Sequence, residues 1–236
     1  MLTPSAPLLE AVRGALADAA DPARAPAQQA YMKSTLPFRG ITAPRLAATL
    51  RPLLADPAYR LGSRREWEAT VRSLWDDASY REERYAALAL TGHRLYRAHQ
   101  DPDAVRLYRH LVVTGAWWDY VDQIAAQRIG PILRAHPGTE PARMRAWARD
   151  DDLWVRRTAI LCQLGSHEAT DVSLLLDCIG PSVERREFFL AKAIGWALRQ
   201  YAHEGPEAAD RVRQVVRSYG DRMAPLSRRE ALKHLG

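Results

Sequence analysis

The chain has 236 residues, 47% of them hydrophobic and 26% charged, which is enough for a soluble globular protein with a sizeable core. No apolar run approaches the length of a membrane span, and the N-terminus lacks the pattern of a secretory signal. We therefore expect a cytoplasmic protein without a membrane partner. The net charge of +6 modestly favours a polyanionic partner, such as nucleic acid.

Helical periodicity runs through nearly the whole chain, and no segment alternates as a strand does. Breaks at proline, glycine and aspartate separate the predicted helices. These run over residues 5–20, 23–35, 42–55, 64–77, 80–98, 102–114, 117–135, 139–149, 152–164, 168–178, 184–203, 206–219 and 227–235.

Several predicted helices begin with capping signals. Asp101 precedes a proline at the first helical position. Three serines have a glutamate three residues later, which is the register of a capping box. These pairs are Ser63 with Glu66, Ser79 with Glu82, and Ser227 with Glu230.

Short links between helices predict antiparallel neighbours, and helix pairs recur every 35–45 residues or so. This spacing predicts an all-α fold, namely an α-solenoid of HEAT-like helix pairs forming a single domain over residues 1–236. A compact helical bundle is the alternative. A solenoid would offer a concave groove to an extended ligand such as duplex DNA.

The segment Trp117-Trp118-Asp119-Tyr120-Val121-Asp122 combines aromatic side chains with two carboxylates. On a helix, Trp118 and Asp122 lie one turn apart on one face, where an indole and a carboxylate can stabilise a cation. Spacing alone favours a plainer interpretation, with Trp118 in the core and Asp122 solvated or ion-paired.

Two further segments place cations beside apolar residues. Arg157 shares a stripe with Trp154 and Leu161, so it needs either a buried carboxylate or a bound phosphate. Lys192 and Arg199 lie one turn before and after Trp196. They could flank the indole, or they could face solvent around a core tryptophan.

Gly195 within this last helix suggests a close approach of another backbone. Near the N-terminus, Tyr31 and Lys33 could meet a ligand through their polar groups. The cysteines, Cys162 and Cys178, read as buried thiols without metal ligands nearby. No phosphate-binding glycine loop, metal motif or nucleophile elbow is present, so we expect no metal and no cofactor.

Taken together, the chain resembles the AlkD-like DNA alkylation repair enzymes, which are HEAT-like-repeat bacterial glycosylases of alkylated purines. The resemblance spans residues 31 to 234 and rests on the order of five segments. They are YMKSTLPFRGI, WWDYVD, LWVRRTAIL, EFFLAKAIGWALRQYA and PLSRREALKH.

The resemblance implies roles for individual residues. Asp122 falls on the family's catalytic carboxylate, and Trp118 and Trp196 on aromatic residues that line the lesion site. Arg157 falls on a residue that binds the DNA backbone, and Tyr31 on an N-terminal DNA contact. We add Lys33, Lys192 and Arg199 as DNA-binding candidates. The chain departs from the family at Thr42, where we expect an amide, and at Gly165, where we expect a lysine.

The resemblance further implies excision of N3- or N7-alkylated purines from double-stranded DNA, without base flipping, in base excision repair. A monomer is the default expectation for the chain. Two alternatives remain. One is a non-catalytic module that binds DNA or protein, and the other is a purely structural helical protein.

Overall fold

The structure is a computed structural model that describes residues 3–235. Within these residues it is helical, with no β-strand. Helices pack mainly against helices near them in the chain, so the fold is all-α and consistent with the predicted α-solenoid class. Contacts divide the chain into two compact units, Met1–His99 and Gln100–Gly236, which we describe separately. Whether they form one domain stays a prediction.

The first unit is built on α1 to α5, with short 3-10 turns at Pro57–Tyr59 and Arg94–His99. Trp67 and Trp75 from α4 are fully buried in it. The helices are α1 (Ala6–Asp18), α2 (Ala25–Met32), α3 (Ala43–Ala55), α4 (Arg64–Asp76) and α5 (Arg81–Thr91).

The second unit carries α6 to α14. Its central element is α10, which packs against α6, α7, α9, α11 and α12. The helices are α6 (Val105–Gly115), α7 (Trp118–Ile124), α8 (Gly130–Ala135), α9 (Glu140–Trp147), α10 (Leu153–Leu161), α11 (Val172–Ile179), α12 (Phe188–Ala202), α13 (Pro206–Tyr219) and α14 (Pro225–Leu232). A π-helical turn, Ala125–Ile129, joins α7 to α8, and 3-10 turns lie at Pro102–Ala104, His167–Ala169, Gly180–Ser182 and Gly220–Arg222.

Two of the predicted start signals are confirmed. The Ser63 hydroxyl accepts from the backbone N–H of Glu66 at 3.2 Å, at the start of α4. Asp101 accepts from the backbone N–H groups of Asp103 and Ala104, and starts the 3-10 turn that leads into α6.

The capping box predicted at Ser79 and Glu82 is wrong by one residue. The cap of α5 is Tyr80, and Glu83 reaches back to the backbone N–H groups of Ser79 and Tyr80 at 3.2 Å. Glu82 is buried instead, and its carboxylate accepts from the backbone N–H groups of Arg39 and Ile41. It thereby fixes the loop before α3.

The box predicted at Ser227 and Glu230 is also wrong. Helix α14 begins earlier, at Pro225, so both residues lie inside it. The Ser227 hydroxyl donates to the carbonyl of Ala191 in α12 at 3.0 Å. The polar residues of this segment therefore bind α14 to α12. None of the helices within residues 3–235 combines the length and the apolar character needed to cross a membrane.

Candidate functional site

The helix that carries Asp122 contains a π-helical turn just after it. Sequence periodicity predicts one helix over 117–135, but Pro131 has no N–H to donate to the carbonyl of Gln127. The helix widens to a π turn at Ala125–Ile129, and the Arg128 guanidinium donates to that carbonyl at 2.9 Å. Such turns redirect the side chains around them and are frequent at functional sites.

Asp122 forms a bidentate ion pair with Arg157 of α10. Nε of Arg157 donates to Oδ1 at 2.7 Å and Nη2 donates to Oδ2 at 2.8 Å. Nη1 donates to the carbonyl of Phe189 in α12. Of the two alternatives that the sequence left open for Arg157, the structure shows the ion pair. A phosphate contact by the same guanidinium stays a prediction, and it would have to be shared with Asp122.

Burial and charge act in opposite directions on Asp122. Burial raises the pKa of its carboxyl above the ordinary value, and the nearby Asp119 adds to this. The hydrogen bonds and the charge of Arg157 lower the pKa but offset only part of the rise. Asp122 is therefore a stronger base than an exposed aspartate, while its partner stabilises the ionised form.

Aromatic rings surround this ion pair on one side. The Phe189 ring centroid lies 5.9 Å from the guanidinium carbon of Arg157, 4.9 Å from the centroid of Trp154 and 5.4 Å from that of Trp117. Trp117 is half-buried in this cluster of rings. The rings keep water from the guanidinium and fix its plane, which orients the carboxylate.

An open cleft of about 560 Å³ lies over Asp122. Trp196 of α12 also lines it, so the structure brings together two of the three predicted catalytic residues. Trp118 is half-buried one turn before Asp122, outside this lining. The cleft is lined by Asp122, Gln123, Ala126, Gln127, Arg134, Leu164, Gly165 and Trp196.

Gly165 is the residue that replaces the expected lysine, and its backbone explains the replacement. Its φ is +74°, in the left-handed region that glycine adopts without steric cost. A side chain there would be strained even though the surrounding space is open. The cation in this cleft comes instead from Arg134 of α8, which sequence reasoning missed because a single exposed arginine carries no pattern.

Lys192 and Arg199 do not act as free cations around Trp196. Both pair with Glu230 of α14, Lys192 Nζ at 3.1 Å and Arg199 Nη1 at 2.9 Å from the same carboxylate oxygen. Hydrogen bonds from these two cations lower the pKa of Glu230. The Gly195 prediction fits this packing, since a Cβ there would lie 2.3 Å from the Cβ of Glu230. DNA contacts by the two cations stay a prediction.

The remaining candidates lie in the first unit. Tyr31 is 77% exposed in the last turn of α2. Lys33 is the first residue after α2 and has a left-handed backbone, with φ 49°. Both side chains are accessible, and their contact with DNA stays a prediction. Cys162 and Cys178 are buried free thiols, as predicted. Within residues 3–235 we find no group of three or more metal-ligating side chains.

Comparisons with known proteins find a family model and a solved structure that are similar to this chain. Residues 12–235 match the family model described as DNA alkylation repair enzyme. A solved structure described as a predicted DNA alkylation repair enzyme from Enterococcus faecalis is similar, with a TM-score of 0.77 and 29% identity. The match covers 92% of this chain and 97% of that chain. A search of curated proteins finds no significant match.

Proposed function

Because this chain belongs to the family of DNA alkylation repair enzymes, we propose that it is a DNA glycosylase. Its substrates would be N3- and N7-alkylated purines in duplex DNA, removed as the first step of base excision repair by a monomer. The observation that carries the proposal is the Asp122 carboxylate, oriented by Arg157 at an open cleft that Trp196 also lines.

The chemistry needs negative charge more than it needs an acid. Alkylation at N3 or N7 makes the purine cationic and therefore a good leaving group. When the bond from C1′ to the purine nitrogen breaks, the electron pair leaves with the purine, which becomes neutral. The sugar is left as an oxocarbenium ion, the species that glycosidases stabilise with a carboxylate.

Asp122 is the proposed source of that stabilisation. It also accepts a proton from the water that adds to C1′, so the products are a free alkylpurine and an abasic site. The raised pKa of Asp122 suits it to accept this proton. Trp196, which lines the cleft, offers an indole face to the cationic sugar and keeps other water from it. The same role is proposed for Trp118, one turn before Asp122, on the basis of the family resemblance.

The reaction takes place at the sugar while the base remains stacked in the DNA duplex. Enzymes that flip a base need a closed pocket for it. The cleft over Asp122 is open, which supports access from the DNA backbone. DNA contacts are proposed for Tyr31 and Lys33, whose side chains are exposed. They are also proposed for three cations that are ion-paired in the structure, Lys192, Arg199 and Arg157.

The test is release of free 7-methylguanine from a duplex that contains it, measured by chromatography at saturating protein. Asp122→Asn should bind the duplex as the wild type does but lose about 10²- to 10⁴-fold in rate, the range for a catalytic acid or base. Asp151→Asn removes an exposed carboxylate from the same unit and serves as the control.

A rate for Asp122→Asn within about twofold of wild type would exclude the proposed carboxylate role, because such a group supplies orders of magnitude. Wild-type protein that binds DNA but releases no alkylpurine would point to the alternative, a non-catalytic DNA-binding module.

A further inference from the structure

Arg134 is a cation that lines the cleft beside Asp122 without a carboxylate of its own. Within residues 3–235 its hydrogen bond is from Nη1 to the Ser166 hydroxyl at 2.9 Å, and no acidic side chain pairs with it. By contrast, Lys192 and Arg199 share Glu230, and Arg157 is occupied by Asp122. Of these four cations, Arg134 is the one whose charge no acid offsets.

The guanidinium is held in place rather than free in solvent. Nη1 lies 3.4 Å from where a Cβ on Gly130 would be, so the side chain folds back along α8 over that glycine. Gly130 also allows the close approach of the end of α10, since its Cβ would lie 2.5 Å from the carbonyl of Cys162. This approach brings Ser166 within reach of Arg134.

The charge balance of the cleft favours an anion. Its lining contains one acid, Asp122, whose charge is offset by the buried Arg157 behind it. Arg134 then leaves one net positive charge. Two neutral amides, from Gln123 and Gln127, lie in the same lining and can donate to oxygen atoms.

We propose that Arg134, oriented by Ser166, binds a phosphodiester of the DNA backbone at this cleft. The inference rests on the proposed function, because the anion belongs to the duplex whose sugar faces Asp122. With Nη1 on the hydroxyl, Nη2 and Nε remain to donate to two phosphate oxygens, which suits the fork of a guanidinium. Arg134 would hold the register of the duplex without taking part in bond cleavage.

The test compares Arg134→Gln with wild type in equilibrium binding to an unmodified duplex, between about 50 and 200 mM salt. Loss of one phosphate contact should reduce the slope of log K against log salt by ~0.9 and weaken binding several-fold. Arg211→Gln, at an exposed arginine of α13 outside the cleft, should leave the slope within error of the wild-type slope.

Two further variants separate charge from geometry. Arg134→Lys should retain the slope and lose part of the affinity, because lysine lacks the planar fork. Ser166→Ala should behave in the same way, since it keeps the charge but frees the guanidinium.

An unchanged slope for Arg134→Gln, or a reduction no larger than that of Arg211→Gln, would overturn the inference. If that happened while wild type still released 7-methylguanine, the proposed function would stand and only the phosphate site would be wrong. The opposite result is also informative. If wild type released no alkylpurine while the salt slope of binding was smaller in Arg134→Gln, the phosphate site would be supported and the proposed function would be wrong.

Discussion

Arg157 donates to both carboxylate oxygens of Asp122, at 2.7 and 2.8 Å. Their side chains are only 5% and 14% exposed. A pair in this position is held by two parallel hydrogen bonds and by the packing of Phe189 and Trp154 around the guanidinium. The residue proposed to stabilise the transition state therefore has a fixed orientation before DNA binds.

Removing Arg157 should cost far more stability than removing an arginine from an exposed pair. Arg157→Ala leaves a buried carboxylate without its partner, and we expect a loss of about 3–5 kcal/mol in the free energy of unfolding. Arg145→Ala, which breaks the exposed pair with Asp177, should change the free energy of unfolding very little, because solvent screens an exposed pair. Urea unfolding followed by circular dichroism measures both. Equal losses of unfolding free energy would show that the buried pair stabilises the fold no more than the exposed pair does.

Acidification should stop excision at a pH above the ordinary pKa of an aspartate. The active form of Asp122 is the carboxylate, and burial raises its pKa above 3.8, so the rate falls as the pH falls through that raised value. Arg157→Lys loses the bidentate hydrogen bond, which should move the midpoint to higher pH. The measurement is the single-turnover rate against pH, with release from the same duplex without enzyme subtracted. A midpoint that did not move in Arg157→Lys would argue against Asp122 as the titrating group.

Helix identity could be predicted from periodicity, but the polar interactions between helices could not. Ser79 and Glu82 have the spacing of a capping box, yet Glu83 makes the capping contact and Glu82 binds the loop at Arg39 and Ile41. A local pattern does not reveal a tertiary partner that competes for the same carboxylate. Glu82 and Glu83 are adjacent in the sequence, and they differ in which part of the protein each side chain contacts.

The same limit applies to the candidate site. The order of segments pointed to Asp122 and Trp196, and the cleft contains both. For Arg157 the sequence offered a buried carboxylate as one of two alternatives and could not name Asp122, because the two residues lie on different helices. Arg134 was missed altogether, since its significance comes from the loop at Gly165 and from the close helix contact at Gly130.

Glu230 should stabilise the contact between α12 and α14 only where it is ionised. Hydrogen bonds from Arg199 and Lys192 lower the pKa of Glu230 below 4.5. Its contribution to stability is therefore present above the unfolded pKa and is lost as the pH falls through the lower, folded pKa. Glu230→Gln should therefore be less stable than wild type at neutral pH, and the difference should shrink in acid. Unfolding at a series of pH values measures this. A difference independent of pH would mean that the ion pairs contribute nothing.

The same variant also tests Lys192 and Arg199 as DNA contacts. Glu230→Gln releases both cations from a shared carboxylate, so duplex affinity at low salt should rise and its salt dependence should steepen. Asp210→Asn frees Arg213 from its exposed pair on α13 and controls for the change in net charge. If the two variants change DNA binding equally, Lys192 and Arg199 do not contact the DNA specifically.

One substitution, glycine to alanine, should have opposite effects at two helical positions. At Gly14 in α1 an added Cβ meets nothing within 4 Å, so Gly14→Ala should gain about 0.5–1 kcal/mol from helix propensity. At Gly195 it would lie 2.3 Å from the Cβ of Glu230 and 2.8 Å from the carbonyl of Ser227. Gly195→Ala must separate α12 from α14, and we expect a net loss of about 1–3 kcal/mol, as for other overpacked interiors. Because Trp196 is the next residue, its fluorescence should also change in the folded Gly195→Ala protein and stay the same in Gly14→Ala. A stability gain at both positions would mean that α14 does not pack against α12 as closely as the structure has it.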